Sequence, residues 1–141
     1  MREVIGWPIR VWLLVIALDL AIALAVGVAL TDQQLLVFLL FLLALTFAFA
    51  WKNRLIIEVT ESSISVAGCL LERDYIREIV ALDNQEMKIE RSTRLNSLAF
   101  LAIRFWVRGG MKIILDDPRD PTPYWLVSSV KVGEVKKILG I

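Results

Sequence analysis

The sequence predicts a membrane-embedded helical hairpin followed by a small, mostly β domain that ends in a helix, and three observations carry that expectation. Two apolar runs, Val11–Leu30 and Leu35–Trp51, are separated only by Thr31, Asp32, Gln33 and Gln34. After Arg54 the hydrophobic period drops from helical to two, and from Val132 it becomes helical again. With 141 residues and 57% hydrophobic content, the chain is too apolar for an ordinary soluble domain, and the excess lies before Lys52.

The first run is twenty residues long, which at about 1.5 Å per residue spans a hydrocarbon core of about 30 Å. The second would reach only about 25 Å, so it must thin the bilayer or lean on Trp51, Lys52 and Arg54. A four-residue polar link forces the two helices to be antiparallel neighbours. Arg2 and Arg10 precede the first helix, Lys52 and Arg54 follow the second, and the link carries no basic residue. The positive-inside rule then predicts a two-pass plasma-membrane protein with both termini in the cytoplasm. A cleaved signal peptide is the weaker reading, because the run exceeds a signal core and a second apolar segment follows at once. Residues 1–52 are thus read as the hairpin, with Met1–Arg10 as an interfacial flank, and 53–141 as the cytoplasmic domain.

Asp19 falls inside the first helix, about 12 Å from its start. Facing lipid there it would cost about 2.5–3.5 kcal/mol, so it should face protein. Ala17, Ala21 and Ala25, with Ala23 and Gly27 beside them, give small-xxx-small spacings that let another helix approach. Thr46 lies within about one turn of the same depth, and a hydrogen bond between Asp19 and Thr46 or a partner subunit is expected. Locking the hairpin outweighs a proton-relay or partner-binding role for Asp19, and self-association through the hairpin stays open beside contact with the lipid bilayer.

In the second part, Leu55, Ile57 and Val59 alternate with polar residues as a strand. Glu61 and Ser62 turn the chain, Ile64 and Val66 continue the alternation, and Ala67 with Gly68 supply the next reversal before Cys69–Arg73. Tyr75–Leu82 and Met87–Arg91 read as further strands separated by a turn at Asp83 and Asn84, the whole forming an antiparallel meander. Asn96–Val107 is ambiguous, since Leu98, Leu101 and Phe105 fit a short helix while Ile103–Val107 fit a strand. Gly109 and Gly110 read as a two-residue hairpin before the strand Met111–Leu115. Asp116–Ser129 places three prolines in six residues and excludes a helix, Tyr124–Ser128 resumes as a strand, and Val132–Leu139 closes the chain as an amphipathic helix.

Composition excludes several function classes. From Lys52 onward, fourteen Lys or Arg stand against twelve Asp or Glu, which gives no clustered basic face for nucleic acid. There is no histidine, so a Ser-His-Asp arrangement is impossible, and neither a zinc cluster nor a glycine-rich phosphate loop is present. The lone Cys69 cannot form an internal disulfide, in keeping with a reducing compartment. Asp116, Asp117 and Asp120 spell the DDxxD spacing that holds magnesium diphosphate when presented by a helix, but Pro118 and Pro121 forbid that helix. An Asp-capped turn is the preferred reading, ahead of a loop that binds a hard cation. Ser128 and Lys131 match S-x-x-K without the companion motifs of that enzyme class. Tyr124, Trp125, Trp106 and Phe105 form either an exposed aromatic surface or core, with core expected for at least half of them. No cofactor or metal is expected.

Glu3 and Pro8, the Val66–Gly68 reversal, Arg104 with Trp106, and above all the string Asp-Pro-x-Asp-Pro-Thr-Pro-Tyr-Trp-Leu-Val-Ser from Asp117 to Ser128 resemble the DUF3093 family, small actinobacterial membrane proteins of unknown function. The resemblance covers nearly the whole chain. It implies a pleckstrin-homology-like domain, two curved antiparallel sheets closed at one end by the C-terminal helix, and it implies no activity. The family usually follows the string with an Arg and opens its last helix with Pro, where this chain has Val130 and Val132.

Three functional expectations follow. The first is a membrane-anchored, non-catalytic interaction or scaffold module that binds a protein partner. The second is a sensor of lipid headgroups or a small ligand at the inner leaflet. The third, an enzyme or ion-handling protein built on Asp19 or on Asp116, Asp117 and Asp120, has the least support. Candidate interaction residues are Asp19 and Thr46 in the hairpin, Arg104 and Trp106, the three loop aspartates, and Tyr124 with Trp125.

Overall fold

The computed structural model describes residues 1–141. The chain forms two compact units, Gly6–Arg54 and a second made of Met1–Ile5 with Leu55–Ile141.

The first unit is a pair of antiparallel helices, α1 (Ile9–Gly27) and α2 (Asp32–Lys52). Both bounds differ from the expected Val11–Leu30 and Leu35–Trp51. Pro8, in an extended conformation, is the N-cap of α1, which therefore begins two residues early. The polar segment expected to be a link is the start of α2: Thr31 accepts from Gln34 N while the Gln34 side chain accepts from Thr31 N, a capping box. With 21 residues, α2 is the longer helix at about 31 Å and needs no thinned bilayer. Both helices are long and apolar enough to cross a membrane. Asp19 and Ala23 face α2 and are buried, and a Cβ at Gly27 would meet Leu35 at 3.2 Å. Ala17, Ala21 and Ala25 lie on the opposite, exposed side of α1. At the open end of the hairpin, Trp7, Trp12, Phe47, Phe49 and Trp51 pack in a chain of ring contacts, with the Arg54 guanidinium 3.9 Å from the Trp51 ring centre.

The second unit holds two four-stranded sheets. The first has the order β1 (Arg2–Ile5), β2 (Leu55–Val59), β3 (Ser63–Val66), β4 (Cys69–Glu72), all antiparallel. Residues placed in the interfacial flank thus form a strand instead, with Ile5 opposite Leu55 and Arg2 opposite Glu58. Glu3 and Ile5 point inward and Arg2 and Val4 outward, an alternation too short to stand out in the sequence. The reversal at Ala67 and Gly68 is as expected, both residues having positive φ (53° and 86°) in a two-residue hairpin.

The second sheet has the order β5 (Ile76–Leu82), β7 (Gly110–Leu115), β8 (Tyr124–Ser128), β6 (Phe100–Ala102). It departs from a meander in three places. Met87–Arg91 is not a strand: Asn84–Glu90 is helix α3, because Asp83 accepts from Gln85 N and Glu86 N and Glu86 returns a bond to Asp83 N. The ambiguous stretch contributes only the three residues of β6, which pair in parallel with β8 at the edge of the sheet, and Ile103–Val107 turns away. Gly110 does not turn a hairpin but opens β7, opposite Ser128. Helix α4 (Val132–Leu139) is as expected, ending at Gly140 with φ 67°.

The core lies between the sheets and α4. Ile57, Ile64 and Val66 meet Ile79, Met111, Ile113 and Val127, with Val135 and Leu139 closing one side. At about 1.5–3 kcal/mol for each fully buried aliphatic side chain, this cluster supplies the main stabilisation. A smaller cluster of Leu82, Met87, Tyr124 and Leu126 holds α3 to the other side of the sheet.

Candidate functional site

In the helical unit, Thr46 Oγ1 donates to Asp19 Oδ2 at 2.8 Å, and Asp19 is only 6% exposed. The depth count anticipates this pairing because antiparallel helices bring residues at equal depth together. We expect Thr46→Val, nearly isosteric, to weaken the hairpin by about 1 kcal/mol by removing the donor, and Thr46→Ser to retain most of the stability. Thermal unfolding in detergent reads the difference.

In the β unit, the proline loop 116–123 is locked by its own aspartates. Asp117 Oδ1 accepts from Arg119 N at 2.9 Å and from Arg119 Nε at 3.2 Å, and Asp120 Oδ1 accepts from Thr122 N at 2.9 Å. Asp116 N donates to Tyr75 O, and the Arg119 guanidinium lies over the Tyr75 ring and donates to its hydroxyl. The three carboxylates do not converge on a common point and form no metal-holding group. The Asp-capped turn is what the loop contains.

These bonds hold the Asp117 carboxyl below its ordinary value of 3.8, chiefly through the Arg119 backbone N–H and then its side chain. Asp120 is lowered in the same way by Thr122, side chain first. A depressed carboxyl stabilises the folded loop at every pH above the unfolded value, and that contribution fades as pH falls through the folded one. The loop should therefore stay ordered from neutral pH down to about 4 and loosen below it. In Asp117→Ala it should already be loose at pH 7, with hydrogen exchange of Arg119 and Thr122 as the measurement.

The loop adjoins a free sheet edge. A 3-10 turn, Arg73–Tyr75, runs from the end of β4 to Tyr75, the loop's anchor. β4 is the outer strand of its sheet, and Leu70 on it is 66% exposed. A depression of about 490 Å³, lined by Leu70, Glu72, Arg73 and Asp74 with Glu61–Ser63, lies along this edge. Arg73 also donates through Nε to Leu139 O, closing the C-terminal end of α4. Leu70 does not stand out in the sequence, where it reads as one more apolar residue of a strand.

Two of the aromatic candidates are corrected. Tyr124 and Trp125 are buried and present no ring to a partner. The Tyr124 hydroxyl accepts from Asn96 N at 2.9 Å and donates to Arg94 O, while Lys112 sits over its ring and pairs with Glu90 at 2.7 Å. Trp125 packs on Phe100 with ring centres 4.7 Å apart. β8 lies between β7 and β6, so all five of its residues are buried.

Arg104 and Trp106 belong to the turn after β6, at the other end of β8. Arg104 N donates to Ser128 Oγ at 2.9 Å, and Trp106 is half-buried against the core with a buried Nε1 that has no hydrogen-bond partner. Beside them, the buried Glu3 carboxylate accepts from Ser129 Oγ at 2.6 Å and from Val130 N at 2.9 Å. Glu3 and Ser129 lie 126 residues apart, and no local pattern announces the contact.

Fold and site together define a protein that joins a two-sheet β unit to two helices long and apolar enough to cross a membrane. The chain belongs to a family described as protein of unknown function (DUF3093), whose model matches residues 1–139. No curated protein and no solved structure matches it. Nothing in the family or in the site points to catalysis.

Proposed function

We propose that this protein is a two-pass membrane protein with both termini in the cytoplasm, and that its β unit is a pleckstrin-homology-like module that docks a protein partner without catalysis. The membrane part is supported by the outer faces of α1 and α2, where Leu13, Leu14, Leu24, Leu36, Leu40 and Phe41 are among many exposed large apolar side chains. In water such a coat would aggregate. The two sheets and the closing α4 suit the pleckstrin-homology-like reading, although the parallel β6–β8 pair and the entry of β1 from before the hairpin are departures from a simple meander.

The observation that carries the docking role is the free edge of β4, which offers unpaired backbone and the exposed Leu70 beside a rigid loop. An extended partner segment can add to that edge while the loop fixes its direction.

Two measurements test the reading. Cys69, the only cysteine, is exposed. A membrane-impermeant maleimide should label it in inverted vesicles and leave it unlabelled in intact cells, and the opposite pattern would refute the topology. A photo-crosslinker at Leu70 should give one dominant adduct in native membranes and none from the exposed Lys88 on α3. Equal, diffuse labelling from both positions would refute docking at the edge.

A further inference from the structure

The strongest unexplained surface lies at the end of the β unit opposite the proline loop. Phe105 and Val130 are each 74% exposed, more than any other large apolar residue of this unit. They are brought to one place by two bonded neighbours, since Arg104 N donates to Ser128 Oγ and Ser128 Oγ in turn donates to Arg104 O. Val107 N donates to Arg104 O, so Arg104–Val107 is a tight turn with Phe105 at its tip, edge-on to the half-buried Trp106 at 4.7 Å. Arg108, directly after the turn, is exposed and engaged in no ion pair, whereas Lys131, which follows Val130, is paired with Glu134 at 3.5 Å.

This surface is bonded to the strand through which the chain leaves the unit. Glu3 binds Ser129 and Val130, and two residues later β1 ends at Ile5. Ile5 stands opposite Leu55 in the register, and these two residues connect onward to the apolar helices. An exposed aromatic and an exposed aliphatic tip beside an unpaired arginine, on a unit whose chain connects twice to apolar helices, has the composition of an interfacial anchor: rings and alkyl groups enter the headgroup boundary while arginine meets its anionic groups.

We propose that the Arg104–Arg108 turn and Val130 rest in the headgroup region of the bilayer, so that the β unit is held by a third contact besides its two chain connections. The occupant of this surface is lipid. The inference rests on the membrane reading above, and the test separates the two.

In a Cys69→Ser background, single cysteines replace Phe105, Leu14 on the outer face of α1, and Lys137 near the Arg73-bound end of α4. Each carries an environment-sensitive fluorophore, and the full chain is reconstituted in vesicles of phosphatidylcholine and phosphatidylglycerol with shallow or deep spin-labelled lipid. The expected result is a blue shift and strong quenching by the shallow lipid at position 105, deep quenching at 14, and water-like unquenched emission at 137. Water-like emission at 105 with quenching at 14 overturns the anchor and leaves the membrane reading standing. Absence of quenching at 14 overturns both. Shielding at 105 that appears only in native membranes, and not in pure lipid, assigns the surface to a protein and likewise overturns the proposal.

Discussion

Replacing Gly110 with alanine is expected to unfold the β unit, at a cost of about 4 kcal/mol or more, the upper range for one substitution. A Cβ at this position would lie 2.2 Å from Val127 O, 2.7 Å from Met87 Cε and 3.1 Å from Val127 C. The methionine end can rotate away, but the Val127 carbonyl belongs to the β7–β8 ladder, where Gly110 faces Ser128 and Met111 faces Val127. Relief therefore requires separating the two central strands, which exposes Met111, Ile113, Leu126 and Val127, all fully buried. Gly133 is the control: nothing lies within 4 Å of its Cβ position and it sits in α4, so Gly133→Ala should stabilise by about 0.5–1 kcal/mol. Denaturant unfolding of the full chain in detergent, followed by tryptophan fluorescence, should place the two variants on opposite sides of the parent. A Gly110→Ala protein with parental stability would mean that the β7–β8 ladder yields where the packing says it cannot.

Gly110 also shows where sequence reading stops. Two adjacent glycines between apolar runs carry the same local signal whether they turn a chain or let two backbones close in, and only the identity of the facing strand distinguishes the cases. Features governed by neighbouring residues were legible: the apolar runs of α1 and α2, the alternation of β2 and β3, the Ala67–Gly68 reversal, and the Val135–Leu139 face of α4. The Asp19–Thr46 bond was legible too, because two antiparallel helices convert a depth count into a contact. Helix α3 was misread although its capping box is local. Met87 and Ile89 alternate like a strand, and the Asp83 to Glu86 spacing looks like a turn until both bonds are seen. What required distant partners stayed hidden, namely β1, the parallel β6, and the burial of Tyr124 and Trp125 in a strand flanked on both sides. Of the candidate site, the locked proline loop was readable from Asp and Pro spacing, but its adjacency to the β4 edge passes through Tyr75 and was not.

Glu3 is the most consequential of the hidden residues, and its replacement by alanine should cost about 3 kcal/mol or more. The side chain is 5% exposed and faces the core from β1, opposite Ile57. Its two oxygens serve two donors, Ser129 Oγ and Val130 N, and Ser129 Oγ itself accepts from Lys131 N at 3.1 Å. One carboxylate therefore ties the end of β8 and the entry to α4 to the first strand of the chain. Alanine leaves both donors without that acceptor, and each buried group deprived of its partner costs about 1–3 kcal/mol. Glu3→Gln keeps one amide oxygen for Val130 N and lets the Ser129 hydroxyl turn to accept from the amide nitrogen, so about 1 kcal/mol is expected. The asymmetry is the diagnostic. If burial of a long side chain were the main contribution, Glu3→Met would match Glu3→Gln, whereas a hydrogen-bonded tie makes methionine resemble alanine. The same three variants should be compared for the position-105 fluorophore, because Val130 is held beside that turn through this carboxylate. Loss of the tie should leave the Gln variant anchored and make the Ala and Met variants more water-exposed at 105 under conditions where all three remain folded.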